Sequence, residues 1–325
     1  MNRNSIFKIT NSDEFEHVAL EIFKFQAQSN LVYKEFLSHL NLDSNHVQSL
    51  DQIPFLPIQF FKSHKVVSVD KEAQVTFESS GTTGSIPSYH YVTDLELYIQ
   101  SFSESFHRFY GDMSDWTILA LLPSYLERTG SSLVYMVRAL INKSKSAQSG
   151  FYLDDLEKLK DTLKYLEGNG HKTLLIGVSF ALLDLAENMD FPLKQTVVME
   201  TGGMKGRRRE LIREELHAKL CAGFGVNSIH SEYGMTELLS QAYSKGRGIF
   251  SCPPWMKVLI RDPEDALTPQ PVGRTGGINI IDLANINSCS FIATQDLGKV
   301  FSNGTFEVLG RFDTSDIRGC NLLVQ

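Results

Sequence analysis

The chain has 325 residues, of which 42% are hydrophobic and 21% are charged, a balance that suits a globular protein with a substantial core. Its formal net charge of −7 argues against nucleic acid or an anionic membrane as the main partner, because both call for a basic surface. The sequence has no signal-peptide pattern and no apolar run near the ~18 residues of a transmembrane segment, so we expect a cytoplasmic protein.

Hydrophobic spacing predicts two helices first and then an alternation of strands and helices. Apolar residues recur at helical spacing over residues 13–41. Three later apolar runs predict buried strands, each followed by a helical pattern, and a further amphipathic helix is predicted at Leu156–Gly168. The predicted strands are 116–123, 173–179 and 195–203, and the helices that follow them are 131–141, 180–189 and 206–220. This alternation is typical of the α/β class, with a mostly parallel sheet covered by helices.

The pattern changes after Gly248. Four short apolar segments follow with short turns between them and no helical pattern, so we expect a small antiparallel sheet or barrel packed on the α/β body. They are 256–262, 276–283, 290–296 and 306–312. We expect one domain over residues 1–310, with a helical segment over 1–50 and a β-rich part from about 249, and then a short tail over 311–325.

A run of small polar residues stands out within the stretch FESSGTTGSIPSYH. The glycines permit a positive φ and a close backbone approach, and the hydroxyls can donate to the oxygens of a pyrophosphate group. The run lacks the lysine of a Walker A loop, and a solvated surface loop is the structural alternative. Its six members are Ser79, Ser80, Gly81, Thr82, Thr83 and Gly84.

The stretch HSEYGMTE sets a hydroxyl, Thr236, beside a carboxylate, Glu237. A carboxylate of this kind can hold Mg²⁺ against a nucleotide phosphate. The structural alternative is a pair of capping residues ahead of a helix that begins at Leu238.

Two further motifs lie near the end of the chain. In ATQDLG, Asp296 follows an apolar strand, where it can accept hydrogen bonds from both ribose hydroxyls or simply begin a turn. In GRFDTSDIRGC, charged residues including Arg311 and Asp313 crowd the end of the last predicted strand.

In their order and spacing, these four motifs resemble those of the adenylate-forming superfamily. The resemblance runs from roughly residue 50 to the end of the chain. The stretches LPSYLERTGSSLVYM and ETGGMKG, and the few residues that follow DIRGC, are most similar to the acyl-protein synthetase (LuxE-type) branch, which is related to phenylacetate–CoA ligases. The resemblance implies the large N-terminal domain of that superfamily. It also implies an ATP-dependent ligase that turns a fatty acid into an acyl-adenylate and then passes the acyl group to a thiol.

The resemblance also implies roles for particular residues. The loop 79–84 would hold the β- and γ-phosphates of ATP, Thr236 would meet the α-phosphate, and Glu237 would bind Mg²⁺. The adenine would stack on Tyr233 opposite the backbone of Gly202 and Gly203, with Gly234 beside it. Asp296 would bind the ribose hydroxyls with Arg311 near the same sugar, and Asp313 falls at the hinge of longer members.

The sequence lacks lysines at positions where the family pattern has them. Longer members carry a catalytic lysine on a C-terminal domain of about a hundred residues. Here seven residues follow Arg318, and the loop has Pro87-Ser88 where the pattern has Pro-Lys, so we expect that domain to be essentially absent. We expect Lys205, two residues beyond Gly203, to supply the charge at the phosphates, the alternative being a solvated basic turn.

Two residues are candidates for the acyl-transfer step. By resemblance, Cys320 near the C-terminus would take the acyl group, the alternative being a small buried side chain with no role in the reaction. The neighbouring Arg318 would lower the pKa of its thiol. The other cysteines, Cys221, Cys252 and Cys289, have no comparable argument, and none of the four lies in a C-x-x-C pair. His230 would orient the carboxylate or the thiol, or it is a structural histidine.

Three acceptors or roles therefore stay open at the level of the sequence. The acyl group is expected to pass to a protein cysteine, either Cys320 or one on a partner such as a reductase or an acyl carrier. Coenzyme A is the first alternative. A non-catalytic scaffold that binds a nucleotide or an acyl group is the second, and the missing lysine is its motivation. The acyl chain and the oligomeric state are not specified by the sequence.

Overall fold

The computed structural model describes residues 3–79, 86–122, 130–153, 155–202 and 211–312. Within these residues eight α-helices occur: α1 Ser12–Ser29, α2 Leu31–His39, α3 Phe60–Ser63, α4 Leu95–Tyr110, α5 Ser132–Lys143, α6 Leu156–Gly168, α7 Ser179–Ala186 and α8 Arg213–Phe224. Asparagine and serine side chains cap several of them. Asn11 accepts from the Glu14 amide at the start of α1, and Ser131 accepts from the Val134 amide at the start of α5.

The same residues contain fourteen strands. They are β1 Leu56–Pro57, β2 Val75–Glu78, β3 Tyr89–Val92, β4 Thr117–Leu121, β5 Gly150–Phe151, β6 Thr173–Gly177, β7 Thr196–Thr201, β8 His230–Tyr233, β9 Ala242–Ser244, β10 Ile249–Ser251, β11 Met256–Arg261, β12 Thr275–Asp282, β13 Phe291–Val300 and β14 Phe306–Arg311.

The backbone contacts divide the chain into two units. Residues up to Lys71 and those from Pro254 onward form one unit, and Glu72–Pro253 form the other. The predicted boundaries, with one domain over 1–310, stay a prediction.

The unit Glu72–Pro253 contains the parallel sheet. Its strand order is β10-β9-β8-β7-β6-β4-β5; the strands from β8 to β5 pair in parallel, and β9 and β10 pair antiparallel. Strands β4 and β6 are buried along their whole length, which explains why they read as continuous apolar runs. Strands β2 and β3 form a separate antiparallel hairpin.

The other unit contains the antiparallel strands. Strands β11 to β14 pair with their neighbours in chain order, and β1 adds to β13 in parallel. Helix α1 contributes Gln26, whose amide donates to the carbonyl of Asn285 at 3.1 Å and to that of Ile286 at 2.9 Å. The predicted α/β class, with a smaller antiparallel sheet, is confirmed.

Two parts of the sequence-based picture need correction. The alternative of a helix beginning at Leu238 is wrong, because the segment forms a turn and then strand β9. Strand β9 pairs antiparallel with β8 from Ser231 to Tyr233, so sheet pairing decides the conformation of an apolar stretch whose spacing also suits a helix. Helix α4 was not predicted, although its buried residues lie at helical spacing.

Candidate functional site

The carboxyl ends of β7 and β8 bring several predicted residues together. The two strands are parallel neighbours, with Thr201 opposite Glu232. Gly202 follows the end of β7, and Tyr233 is the last residue of β8, followed by Gly234. In open α/β sheets, ligands bind beyond the carboxyl ends of the strands. The residues predicted to contact adenine therefore occupy the edge of the sheet at which ligands bind in this class of fold.

Gly202 has the backbone conformation and the surroundings of a contact residue. Its φ is +72°, a value that L side chains rarely adopt, and a Cβ at this position would meet no atom of the described residues within 4 Å. The Ser179 hydroxyl donates to its carbonyl at 2.8 Å, which fixes the peptide from the first turn of α7. The described residues thus leave the space beside Gly202 open, and its backbone is held in one orientation.

The hairpin of β2 and β3 carries the Ser/Thr/Gly run. Ser79 and Ser88 close its base, since the Ser79 amide donates to the Ser88 carbonyl at 3.0 Å and the Ser88 amide donates to the Ser79 hydroxyl at 2.8 Å. The Glu78 amide donates to the carbonyl of Gly130 at 2.8 Å, two residues before α5. The remaining members of the run, Ser80–Gly84, lie outside the described residues.

Thr236 and Glu237 lie in the turn after β8, and this turn is joined to the hairpin. The ring nitrogen Nδ1 of His90, on β3, donates to the Thr236 carbonyl at 2.8 Å. His90 is 1% exposed and Glu237 is 5% exposed, so both polar groups are enclosed. The structure therefore brings the base of the predicted phosphate loop and the predicted metal-binding turn together.

Glu232 belongs to the same strand end and is not among the site residues predicted from the sequence. The Thr201 hydroxyl donates to its Oε2 at 2.6 Å. Burial raises the pKa of the Glu232 carboxyl to about 7, with a smaller contribution from Glu200 against the lowering effect of Thr201. No sequence signal marks this residue, because the groups that enclose it come from distant parts of the chain.

His230 lies at the opposite end of β8 from Tyr233. It is the first residue of the strand, about 10 Å from Tyr233 along the chain. A hydrogen bond of 3.1 Å joins its Nδ1 to the Tyr110 hydroxyl, and burial, with the nearby Lys245, lowers the pKa of the imidazole to about 4. This position favours the structural alternative for His230, and its catalytic role stays a prediction.

Asp296 and Arg311 belong to the unit of antiparallel strands, where they face each other across β13 and β14. Arg311 Nε donates to Asp296 Oδ1 at 3.1 Å. The Asp296 side chain is 9% exposed, whereas that of Arg311 is 81% exposed. The two residues predicted to lie near one sugar are therefore neighbours, and the guanidinium is accessible.

Several predicted residues fall outside the described part of the chain: Gly203, Lys205, Asp313 and Cys320. The other three cysteines, Cys221, Cys252 and Cys289, lie among the described residues. Burial raises the pKa of the Cys221 thiol, and it raises that of Cys289 to about 12. Neither thiol is activated as a nucleophile, because the thiolate is the reactive form.

Among the described residues, no cluster of three or more His, Cys, Asp or Glu side chains is arranged to hold a metal ion. Over those same ranges, the helices are all too short or too polar to span a bilayer.

Comparisons with known proteins agree with this geometry. The long-chain-fatty-acid–luciferin-component ligase of Vibrio harveyi is 24% identical over 324 residues, which cover 92% of this chain and 84% of the relative. The fold matches 2-hydroxyisobutyryl-CoA ligase, solved in complex with 2-HIB-AMP and CoA, with a TM-score of 0.68 and 12% identity over 94% of this chain and 70% of that one. It also matches ATP-bound MatB from Rhodopseudomonas palustris, with a TM-score of 0.56 and 18% identity over 75% of this chain.

The chain spans 50% of the length of MatB and most of the length of the Vibrio harveyi ligase. Both structural likenesses lie below 25% identity, so they bear on the fold. The predicted superfamily and the predicted ligase class are confirmed by the relatives and by the family match, which covers residues 8–325. The chain belongs to the acyl-protein synthetase (LuxE) family.

Proposed function

We propose that this protein uses ATP to activate a long-chain fatty acid and passes the acyl group to a protein cysteine. One observation carries the proposal beyond the family match. The His90 hydrogen bond joins the hairpin of the Ser/Thr/Gly run to Thr236, 146 positions away. The Ser/Thr/Gly run and the motif that contains Thr236, each weak evidence by itself, thus belong to one local structure, as a nucleotide site requires.

The proposed reaction has two steps. In the first, a carboxylate oxygen of the fatty acid attacks the α-phosphorus of ATP, the bond to the β-phosphate oxygen breaks, and pyrophosphate leaves. In the second, a thiolate attacks the acyl carbonyl carbon of the acyl-adenylate, and AMP leaves with the bonding electron pair. Nucleotidyl transfer depends mainly on positioning and on charge stabilisation, so the site needs fixed donors and cations more than covalent groups.

The residues of the sheet edge suit the nucleotide. Gly202 offers a fixed backbone surface that no other described residue covers, and Tyr233, a residue that is 9% exposed, offers an aromatic ring that packs edge-on against Phe250. The backbone and hydroxyls of the run 79–84 would follow the phosphates. Asp296 and Arg311 would take the ribose, with the carboxylate accepting from its hydroxyls.

A single enclosed carboxylate suits magnesium in this setting. Mg²⁺ usually takes one or two protein carboxylates together with substrate phosphates and water. Glu237, 5% exposed and one residue after Thr236, fits that donor set. When bound, the ion would neutralise charge on the phosphates, and Glu237 would hold it.

The test of the first step is carboxylate-dependent release of pyrophosphate. The purified protein is incubated with ATP, Mg²⁺ and a panel of saturated fatty acids, and pyrophosphate is measured with and without acid. We expect release that rises with chain length into the long-chain range. A complete lack of release with every carboxylate would overturn the proposal and favour the binding scaffold.

The test of the second step follows the acyl group. With radiolabelled fatty acid and ATP, we expect label on the protein that hydroxylamine removes, as for a thioester, and that is lost in Cys320→Ser but kept in Cys221→Ser. Label that appears only as acyl-CoA when coenzyme A is added would replace the protein acceptor with coenzyme A. The cytoplasmic location that we propose would keep Cys320 as a thiol.

A further inference from the structure

Glu232 is a carboxyl group at the proposed nucleotide site that the two-step reaction does not use. It precedes Tyr233 and is only partly accessible to solvent. Its Oε2 accepts from the Thr201 hydroxyl at 2.6 Å, and Thr201 is the residue directly before Gly202. One side chain on β8 therefore holds the end of β7 at the position from which the chain turns into the predicted adenine contact.

The other carboxyl oxygen of Glu232 lies close to its own chain. A Cβ on Gly234 would overlap Glu232 Oε1, so the backbone after β8 passes near the carboxyl group. The glycine leaves room for that close approach. Glu232 thus touches the chain beyond Tyr233 with one oxygen and the chain before Gly202 with the other.

We propose that Glu232 is a positioning residue which, through Thr201 and Gly234, holds the backbone at Gly202 and the ring of Tyr233 in the arrangement that binds the nucleotide. This inference rests on the proposed function, because it assigns the nucleotide to that edge of the sheet. Glu232 would act through its neighbours and would not itself take part in bond making.

The surroundings of Glu232 link its charge state to the binding of the nucleotide phosphates. Four described titratable groups interact electrostatically with Glu232. They are Glu200 on β7, Tyr98 and Tyr110 on α4, and Tyr243 on β9. None of these four is a cation. His230 lies two residues earlier on the same strand, and burial and Lys245 keep its imidazole neutral near pH 7. The neutral and ionised forms of Glu232 both accept from Thr201, and the ionised form adds negative charge beside a site for phosphates.

The chain offers a matched control for the Thr201 bond. Thr196, the first residue of β7, donates from its hydroxyl to Glu167 Oε1 at 2.6 Å, so it makes the same type of bond at the other end of the same strand. Thr196→Val removes a threonine–glutamate hydrogen bond without touching the proposed site. Thr201→Val removes its counterpart, and Thr201→Ser keeps the hydroxyl.

The experiment compares KM for ATP and kcat of fatty-acid-dependent pyrophosphate release in these variants. We expect Thr201→Val to raise KM for ATP about tenfold, the size of one lost hydrogen bond to a charged or polar group, and Thr201→Ser to restore it to within about threefold. Thr196→Val should lower the thermal midpoint to a similar extent and leave KM for ATP unchanged. If Thr201→Val and Thr196→Val have the same KM, the bond is merely structural and the inference is wrong.

A pH profile gives a second readout that a structural role would not move. In the wild type we expect KM for ATP to rise as pH increases through about 7, as the Glu232 carboxyl ionises. In Glu232→Gln, which keeps an oxygen acceptor for Thr201, that inflection should disappear while the fold is retained. Persistence of the inflection in Glu232→Gln would overturn the inference. Absence of pyrophosphate release in the wild type would instead contradict the proposed function itself, so the two failures are distinguishable.

Discussion

Arg311 Nε donates to Asp296 Oδ1 at 3.1 Å across β13 and β14, and the two partners differ sharply in exposure, with Asp296 enclosed and Arg311 open to solvent. An ion pair with one exposed partner contributes little to stability, typically below about 1 kcal/mol. The pairing instead leaves an oriented carboxylate beside an accessible cation. That arrangement suits recognition of a polar ligand better than it suits stabilisation of the sheet.

Replacement of Asp296 by asparagine is therefore expected to affect nucleotide binding more than folding. The change removes the acceptor proposed for the ribose hydroxyls, so KM for ATP should rise about tenfold to a hundredfold, as for one or two lost hydrogen bonds. Glu307→Gln is the control, because Glu307 lies on β14 opposite Lys299 in the same pair of strands. Equal KM values for the two variants would remove Asp296 from the nucleotide site. Steady-state kinetics with varied ATP measure the effect.

The elevated pKa of Glu232 predicts a specific pH dependence of stability. The folded protein holds the proton up to about pH 7, whereas the unfolded chain releases it near the ordinary value of 4.5. The folded state therefore binds more protons between these values, and its stability falls as pH rises from 4.5 to 7. Because Glu232 is partly accessible, we expect the loss to be at most about 3 kcal/mol.

Glu232→Gln should remove that loss. Urea unfolding at a series of pH values should show the variant gaining stability over the wild type as pH rises from 4.5 to 7, with a plateau above. Glu214→Gln, in the first turn of α8, serves as the control. A constant difference between variant and wild type across this window would mean that Glu232 does not titrate there.

The lowered pKa of His230 predicts the opposite pH dependence of stability at acidic pH. Its pKa is lowered from 6.5 to about 4 in the folded state, mainly by burial, so the unfolded chain binds the extra proton first. Stability should therefore fall as pH decreases from 6.5 to 4. His230→Asn keeps an acceptor for the Tyr110 hydroxyl and removes the titration, so it should flatten this part of the curve. His17→Asn, at a side chain that is 74% exposed, should leave it unchanged. Equal slopes in the two variants would contradict the assignment.

Lys205 is expected to supply the positive charge that the loop lacks. Lys205→Ala should slow fatty-acid-dependent pyrophosphate release about a hundredfold or more, the usual effect of removing a group that stabilises transition-state charge. Lys219→Ala provides a cation control, since Lys219 is 55% exposed on α8 and pairs with Glu215 at 3.3 Å. An unchanged rate in Lys205→Ala, measured with the fold intact, would exclude the residue from the mechanism.

The sequence was sufficient to predict three of the parallel strands, β4, β6 and β7, whereas β5 and β8 were not predicted. Strands such as β4 and β6 are buried on both faces, so a continuous apolar run in the sequence indicates each of them. The secondary structure of the segment after Tyr233 could not be predicted from its apolar spacing. Leu238, Leu239, Ala242 and Tyr243 are all buried at a spacing that also fits a helix, and pairing with β8 and β10 makes part of that segment a strand.

The supporting contacts of the site could not be predicted from the sequence. His90 and Thr236 are 146 positions apart, and no periodicity connects a histidine on a hairpin with a carbonyl in a distant turn. Glu232 is similar, because its raised pKa depends on burial, with a smaller contribution from Glu200 on the neighbouring strand β7. Motifs can therefore indicate which residues meet the ligand, whereas the groups that hold them in place come from tertiary packing.

Substitution of Gly202 can distinguish an effect of backbone strain on stability from an effect of the added methyl group on nucleotide binding. An alanine at φ +72° costs about 1 kcal/mol from backbone strain, and a Cβ there would meet no atom of the described residues. Gly170 is a matched control in the same unit, with φ +68° and likewise no described atom within 4 Å of a Cβ. We expect Gly202→Ala and Gly170→Ala to lose similar stability in urea unfolding. Only Gly202→Ala should raise KM for ATP, since its methyl group would occupy the space proposed for adenine. A matching KM in both variants would show that adenine does not lie against this backbone.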